Sequence, residues 1–316
     1  PSYQVTREEK HTTRGRANVF RQLLTERGIS AGVADDQVHE VLALCLACKG
    51  CRSECPANVD MAKLKAEHLQ HYHDRHGVPL RTRFLANVDR LSHLASKMPS
   101  LFNRINRWSF IKKMLNIHPQ RELPCLATAS LAVWFASHQP HVNAGARGEV
   151  VLLNDVFTQY YDTQVGIAAI EFLEFVGFRV ILSPCFASLR VVISQGLLRL
   201  AKQRLDKAIK WLYPHACAGK AIIGLEPSEL LTYRDEANAL VEHDNEKNKM
   251  LCVAQQAMLF DEFVARNMDH CRDLSLTWPH NKPNFKVHGH CHQKALVGLE
   301  ATFSVLELIP GSTVSG

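Results

Sequence analysis

Four cysteines fall within eleven residues, in the string CLACKGCRSECP at positions 45–56, and this run constrains the fold more than any other feature. Its spacing is C-x2-C-x2-C-x3-C-P, made by Cys45, Cys48, Cys51 and Cys55 with Pro56. Three thiolates so spaced wrap one face of a cubane [4Fe-4S] cluster, and in two-cluster ferredoxins the fourth cysteine ligates the other cluster. The run therefore predicts that Cys45, Cys48 and Cys51 share one cluster while Cys55 serves a second.

A zinc-binding interaction module is the alternative from another functional class. Zinc sites usually combine two C-x2-C pairs across a longer spacer, or cysteines with histidines, so four cysteines this close together fit zinc poorly. No stretch reads as an export signal, so the ten cysteines are expected to be reduced and not disulfide-bonded. The cysteines that share no motif spacing are interpreted as free thiols: Cys125, Cys217, Cys252 and Cys271.

Composition and charge predict a soluble globular protein of about two domains. Hydrophobic residues make up 46% and charged residues 22% of the 316 residues. Residues 1 to 120 hold 19 Lys/Arg against 11 Asp/Glu, whereas the remainder holds 18 against 20. Because the basic half lacks interleaved aromatic residues, we expect no nucleic-acid partner. No stretch is long and apolar enough to predict a transmembrane helix.

The period of the apolar residues changes near residue 148. Helical spacing before that point predicts an all-helical ferredoxin-like module over residues 1–118, followed by a proline- and glycine-containing linker over 119–147. After it, short β-rich runs at 149–153, 178–182, 220–224 and 285–288 alternate with helices at 163–176, 192–212, 228–241 and 247–266. This alternation predicts an α/β domain with a mostly parallel sheet over residues 148–316.

The sequence resembles the iron-sulfur portion of the FAD-linked D-2-hydroxyacid dehydrogenases, a family that includes D-lactate and D-2-hydroxyglutarate dehydrogenase types. The iron-sulfur subunits of glycolate oxidase and of anaerobic glycerol-3-phosphate dehydrogenase are similar. The strings that carry the resemblance span most of the chain: CLACKGCRSECPANVDMAKLKAE (45–67), LNDVFTQYYD (153–162), ISQGLL (193–198), GLEPSELLTYRDE (224–236) and HGHCHQKAL (288–296).

The resemblance implies an electron-transfer role. A flavin domain or subunit with FAD would take electrons from a D-2-hydroxyacid, and clusters held here would pass them to a quinone or protein acceptor. The chain would be a fragment that lacks the family's first cysteine run, so one ligand of the Cys45, Cys48 and Cys51 cluster would lie upstream of Pro1. No catalytic residue is expected here, and the chain alone should not turn over substrate. A separate iron-sulfur subunit of a glycolate or glycerol-3-phosphate dehydrogenase complex is the alternative within the family.

The second domain resembles the family's cysteine-rich domain, which typically carries Cys-Cys-Gly motifs, but it departs from that pattern. Cys185 stands alone in CFAS, and Glu229 follows Glu-Pro-Ser where many members have a cysteine. Cys291 stands between His290 and His292, and the later motif would fall beyond Gly316 if the domain is truncated. Cys185, His290 and Cys291 are therefore candidate metal ligands at an incomplete site.

The helix around 98–115 is amphipathic and basic, with Trp108 and Phe110 among several Lys and Arg. Such a helix can lie on a membrane surface, although packing against the cluster helices is the favoured interpretation. The expected location is the cytoplasm, with peripheral association at the inner face of the membrane as a further expectation.

Overall fold

A computed structural model describes residues 2–22, 33–114, 117–269 and 283–316. Every regular element that it describes before residue 148 is helical, which confirms the all-helical prediction for that part. These helices are α1 (Ser2–Thr6), a 3-10 turn (Glu9–His11), α2 (Thr13–Gln22), α3 (Val33–Ala43), α4 (Gly50–Glu54), α5 (Met61–His76), α6 (Leu80–Ala86), α7 (Val88–Ala95), α8 (Pro99–Asn106), α9 (Ser109–Met114) and α10 (Leu131–Ser137).

The second part is α/β with parallel strands, as the alternating pattern predicts. Four strands, β1 (Glu149–Leu152), β2 (Arg179–Leu182), β3 (Ile222–Gly224) and β4 (Ala257–Leu259), pair in the order β2-β1-β3-β4, all parallel. Strands β5 (Asn284–Lys286) and β6 (Thr313–Ser315) form a separate parallel pair.

Helices cover both faces of the four-stranded sheet. The helices of this part are α11 (Val156–Tyr160), α12 (Thr163–Val176), α13 (Leu189–Ser194), α14 (Leu198–Cys217), α15 (Pro227–Arg234), a 3-10 turn (Ala237–Leu240), α16 (Asp244–Gln256), α17 (Phe260–Arg266), α18 (Cys291–Leu296) and α19 (Glu300–Glu307). One core packs β1 and β3 against α13, α14 and α16, and a second packs the opposite face against α12 and α17. Burial on both faces explains the continuous apolar runs of these strands.

Four predicted helices differ from the structure. The helix expected around 98–115 is two short helices, α8 and α9. The helix expected at 192–212 is two helices, α13 and α14, which are separated at Gly196 with φ of +70°. The helix expected at 247–266 is interrupted by the strand β4, a three-residue apolar segment too short to recognise from its period. The helix expected at 228–241 ends at Arg234 and continues as the 3-10 turn.

The helical part ends in short, exposed helices. The residues 119–147, predicted as a linker, include α10 with a fully buried Leu131. Trp108 and Phe110 are 57% and 73% exposed, so neither contributes to a core. Among the described residues, no helix combines the length and the apolar character needed to cross a bilayer.

Candidate iron-sulfur site

Cys45, Cys48 and Cys51 line one cavity of about 180 Å³. The cavity lies between α1 and α2, the loop that precedes α4, α4 itself and the start of α5, with Met61 and Ala62 on its wall. Cys55 lies at the far end of α4 and is not among the lining residues. The division of three cysteines from the fourth is the arrangement that a cubane ligated by the first three requires.

The loop that carries the first cysteines has unusual backbone geometry. Ala47 and Lys49 both adopt positive φ, +51° and +63°, in the left-handed region that non-glycine residues seldom occupy. Alternating conformations of this kind turn the chain tightly between Cys45 and Cys51. We call residues 45–51 the cluster loop.

Cationic side chains surround the cavity on the side of the helical part. Arg16 lines it, and Lys65 donates a hydrogen bond to the carbonyl of Cys45 with 2.7 Å between Nζ and O. Burial lowers the pKa of Lys65. Because a cubane with its thiolate ligands is anionic, these side chains suit the cavity to such a cluster. The thiols and charges of this chain therefore fit the group that the motif implies.

Cys55 has a different environment. Backbone amides of Val59 and Ala57 hydrogen-bond to its sulfur and lower its pKa, which favours the thiolate form. Burial raises the pKa of Cys51, although the Met61 amide opposes that shift. Cys55 therefore lies outside the cavity of the first three cysteines, among backbone amides that favour its thiolate form.

Lys49 fixes the cluster loop to the α/β part. Its side chain is fully buried, and its Nζ lies 3.1 Å from Asp60, 2.6 Å from Asp235 and 2.9 Å from Glu236. Burial alone would lower the pKa of Lys49, but Glu236 and Asp235 outweigh it and raise the pKa, so the ammonium stays charged. Two of the three carboxylates follow α15 directly.

Further cations surround the same carboxylates. Arg52 and Lys63 both pair with Asp235, and Arg190 pairs with Glu236. Arg52 and Lys49 are therefore paired with carboxylates of the α/β part and are not ordinary solvated loop charges. We call Lys49, Arg52, Asp60, Lys63, Arg190, Asp235 and Glu236 the ion-pair network.

His292 holds the cluster loop from a second direction. Its Nε2–H donates to the carbonyl of Ala47 across 3.0 Å, which leaves Nδ1 buried without a partner among the described residues. Burial, followed by the nearby charge of Arg190, lowers the pKa of His292, so the ring is neutral. The loop thus contacts α18 as well as the end of α15.

Cys185, the first of the candidate metal ligands in the α/β part, lies in a buried and acidic environment. Burial, then the charges of Asp155 and Asp89, raise the pKa of Cys185 to about 12. Both carboxylate oxygens of the nearby Glu229 accept hydrogen bonds, one from the hydroxyl of Ser188 and the other from the amides that begin α13. The Glu229 carboxylate is therefore hydrogen-bonded to the start of α13.

His290 and Cys291 lie at the N-terminus of α18. Cys291 is exposed, and His290 caps the helix by accepting from the His292 amide at 3.2 Å. The His290 Nε2 lies 3.8 Å from a carboxylate oxygen of Glu226. In the described ranges, no three His, Cys, Asp or Glu side chains are arranged to hold one metal ion; this includes Cys45, Cys48 and Cys51, whose ligation stays a prediction. Ligation by Cys185, His290 or Cys291 therefore stays a prediction.

Sequence reasoning missed the carboxylate half of the ion-pair network. Asp235 and Glu236 lie 186 and more positions from Lys49, and no local period relates them. The available signal was the string GLEPSELLTYRDE, whose last two acidic residues are these carboxylates.

Comparison with known proteins supports the interpretation of the cysteine run. A family model described as a 4Fe-4S dicluster domain matches residues 1–60. No solved structure matches the chain.

The curated relatives that match the chain are named D-2-hydroxyglutarate dehydrogenase. The protein of Escherichia coli strain K12 is 28% identical over 297 residues, covering 79% of this chain and 29% of the relative. Those of Pantoea ananatis and Pseudomonas putida are 24% and 25% identical and cover 76% and 75% of this chain. The chain spans less than a third of the length of these relatives.

The two comparisons agree with the resemblance found in the sequence strings, and the [4Fe-4S] cofactor predicted from the cysteine spacing agrees with the domain match. The chain is similar to D-2-hydroxyglutarate dehydrogenases over about three quarters of its length, and its residues 1–60 match a 4Fe-4S dicluster domain.

Proposed function

We propose that this chain is the iron-sulfur electron-transfer portion of a flavin-dependent D-2-hydroxyacid dehydrogenase, of the D-2-hydroxyglutarate type. Electrons taken from the hydroxyacid at FAD, in a flavin domain or subunit, would pass through clusters held here to a quinone or another acceptor. The observation that carries the proposal is that Cys45, Cys48 and Cys51 line one cavity, with Cys55 outside it.

The cavity supports a cluster better than it supports a structural zinc ion. Zinc needs four ligands about 2.0–2.3 Å from a single point, whereas a cubane holds its thiolates around a larger volume. Three cysteines line a cavity of about 180 Å³ and the fourth lies outside it, which favours the second arrangement over a zinc ion bound by all four. When bound, the cluster would supply one-electron transfer; the chain's own residues hold it, position the loop and supply the surrounding charge.

Anaerobic reconstitution with iron and sulfide tests the proposal. We expect iron and acid-labile sulfide in equal amounts, a broad visible absorption band, and an EPR signal at low temperature after reduction. Serine at Cys45, Cys48 or Cys51 should abolish the signal, whereas serine at the exposed Cys125 is the matched control and should leave it intact. Stoichiometric zinc without sulfide would contradict the proposal.

Electron transfer needs its own test. Mixing the reconstituted chain with photoreduced flavin mononucleotide under anaerobic conditions should bleach the visible band of the cluster, and a soluble quinone should restore it. A cluster that forms but accepts no electron from reduced flavin would retain the iron-sulfur assignment and overturn the transfer role.

A surface over residues 80–113 combines exposed apolar and basic side chains, which supports peripheral membrane association as part of this function. Exposed large apolar side chains of α6 to α9 include Phe84, Leu94, Met98 and Leu101, around an apolar groove of about 330 Å³. Residues 80–113 hold eight Lys/Arg against one acidic residue. Seven of these cations are exposed, and none has an ion-pair partner in the described part of the chain: Arg81, Arg83, Arg90, Lys97, Arg104, Arg107 and Lys113.

Apolar side chains next to unpaired cations suit a membrane leaflet that contains anionic lipids. The chain should therefore sediment with vesicles that contain phosphatidylglycerol and not with pure phosphatidylcholine vesicles, and high salt should weaken the binding. Serine at Leu94 and Met98 together should reduce binding several-fold, while serine at the exposed Val133 and Val142 serves as control. Binding that is equal on both vesicle types would contradict this part of the proposal.

A further inference from the structure

Two cysteines that the sequence treats as unrelated free thiols lie in contact. The sulfurs of Cys217 and Cys252 are 3.8 Å apart although the residues are 35 positions apart. Cys217 is the last residue of α14, and Cys252 lies in the last turns of α16. Their proximity is a product of the tertiary fold alone.

The backbone on both sides of this thiol pair is fixed by the core. Ala216 and Val253, the sequence neighbours of the two cysteines, are 3% and 0% exposed. Leu212 of α14 and Met250 of α16 belong to the same buried cluster, so the two helices pack directly against each other. A disulfide is about 2.05 Å long, so the sulfurs must approach by roughly 1.8 Å, a shift that side-chain rotation can supply. The helices need not move apart or unfold for the bond to form.

We propose that Cys217 and Cys252 are an oxidation site, which a low-molecular-weight disulfide such as oxidised glutathione converts into an intramolecular disulfide. The two thiols differ in access, which sets the order of the steps. Cys217 is exposed and Cys252 is half-buried. Burial, and then the neighbouring sulfur of Cys217, raise the pKa of Cys252, which makes it the slower thiol to react with a reagent from solution.

The exchange balances in two steps. The Cys217 thiolate attacks a sulfur of oxidised glutathione, a protein–glutathione bond forms, and one glutathione leaves as the thiol after taking up a proton. Cys252 then loses its proton and attacks the Cys217 sulfur, and the second glutathione leaves. The two protein thiols are oxidised, and one oxidised glutathione is reduced to two thiols.

The disulfide would close a ring that contains the anchors of the cluster loop. Residues 217–252 include β3, α15 and the carboxylates Asp235 and Glu236, which pair with Lys49. Closing the ring restricts the open states of this segment. Resting on the proposed function, we therefore expect the oxidised chain to release iron more slowly than the reduced chain.

Peptide mapping tests the site without relying on the cluster. The reconstituted chain is incubated with oxidised glutathione, alkylated and digested with trypsin, which yields the peptides 211–220 and 250–266, each with one cysteine. We expect these two peptides to be joined by a disulfide in most chains, with two fewer titratable thiols, and to separate again after dithiothreitol.

Serine variants identify the order of attack. Cys252→Ser should retain one glutathione on peptide 211–220, and Cys217→Ser should give neither a cross-link nor rapid uptake at Cys252. Cys125→Ser is the matched control and should cross-link as the unchanged chain does, because Cys125 is exposed and lies outside the pair. Far-UV circular dichroism establishes that each variant is folded.

Separate glutathione adducts on both peptides, or no reaction at either, would overturn the oxidation site. The iron-release rate distinguishes the remaining possibilities. A cross-linked chain that loses iron as fast as the reduced chain overturns the coupling to the cluster loop, whereas a cross-link in a chain that binds no iron supports the site and counts against the proposed function.

Discussion

A fully buried lysine inside the cysteine run links the two parts of the chain. Removing Lys49 from water is costly unless its charge is compensated, and Asp60, Asp235 and Glu236 supply that compensation within 3.1 Å. The α/β part thus supplies two of the three carboxylates that compensate the buried ammonium of the cluster loop.

Asp235→Asn tests this dependence at the residue scale. It leaves Lys49, Arg52 and Lys63 short of one carboxylate, so we expect a loss of about 2–4 kcal/mol in the free energy of unfolding. Urea unfolding followed by circular dichroism measures it. Asp74→Asn is the matched control, since it removes an exposed ion pair with Arg199 that also joins the two parts. Equal effects of the two substitutions would contradict the special role of the buried network.

Asp235 should also make the protein sensitive to acid. Burial alone would raise the pKa of Asp235, but Lys49 and Lys63 outweigh it and hold the pKa far below its ordinary value of 3.8. The stabilisation is therefore complete above pH 3.8 and is lost as the pH falls below it. The difference in unfolding free energy between the unchanged chain and Asp235→Asn should shrink on acidification from pH 5 to pH 3. A constant difference would contradict the assignment.

Glu229 should have the opposite pH dependence. Burial raises the pKa of Glu229 from 4.5 to about 7, although the hydrogen bond from Ser188 lowers it. The folded state then keeps a proton that the unfolded state loses, so stability declines between pH 4.5 and pH 7 by about 3 kcal/mol. Glu229→Gln removes this titration and should be more stable than the unchanged chain at pH 8 but not at pH 4.5. Urea midpoints at both pH values measure it, and an equal difference at both would contradict it.

At the scale of elements, the apolar period predicts most of the fold and misses what depends on distant contacts. The helix predicted at 163–176 has those same limits, Thr163–Val176. Strand β4 was missed because its three residues lie between two helices, and its strand character comes from pairing with β3. The cysteine spacing likewise indicated the cluster loop but could not indicate Asp235, Glu236 or His292, which lie elsewhere in the sequence.

At Gly196, elements of the two parts approach each other closely. It separates α13 from α14 with φ of +70°, and a Cβ there would lie 2.1 Å from Leu69 Cβ and 2.9 Å from the Leu69 carbonyl carbon of α5. Gly196→Ala should lower the free energy of unfolding by about 2–4 kcal/mol, from the strained backbone and the overlap together.

Gly219→Ala is the matched control for that substitution. Gly219 has almost the same φ, +74°, but nothing lies within 4 Å of the added Cβ. Gly219→Ala should lower the free energy of unfolding by about 1 kcal/mol, from backbone strain alone. Urea unfolding of both variants separates backbone strain from steric overlap. Equal losses in the free energy of unfolding would show that α5 shifts to accommodate the methyl group.

For the whole molecule, the cluster loop lies where three segments meet. The helical part supplies the cysteines, the end of α15 supplies Asp235 and Glu236, and α18 supplies the His292 hydrogen bond to Ala47. A ligand that binds only the ordered loop stabilises the folded state. Because that state includes the contacts between the loop and the α/β part, the ligand should stabilise the α/β part as well.

Hydrogen exchange measured by mass spectrometry should detect this linkage over the full chain. Loading with iron and sulfide should slow amide exchange in the cluster loop and α5, and also in residues 227–240 and in α18, which belong to the other part. In Asp235→Asn, the loaded chain should keep the protection at the cluster loop but lose part of it over 227–240, since the ion pairs of Asp235 are gone while that between Lys49 and Glu236 remains. The unloaded chain in the same buffer is the reference. Protection confined to residues 33–76 in the unchanged chain would mean that the α/β part does not respond to the cluster, and that the ion-pair network is a static contact.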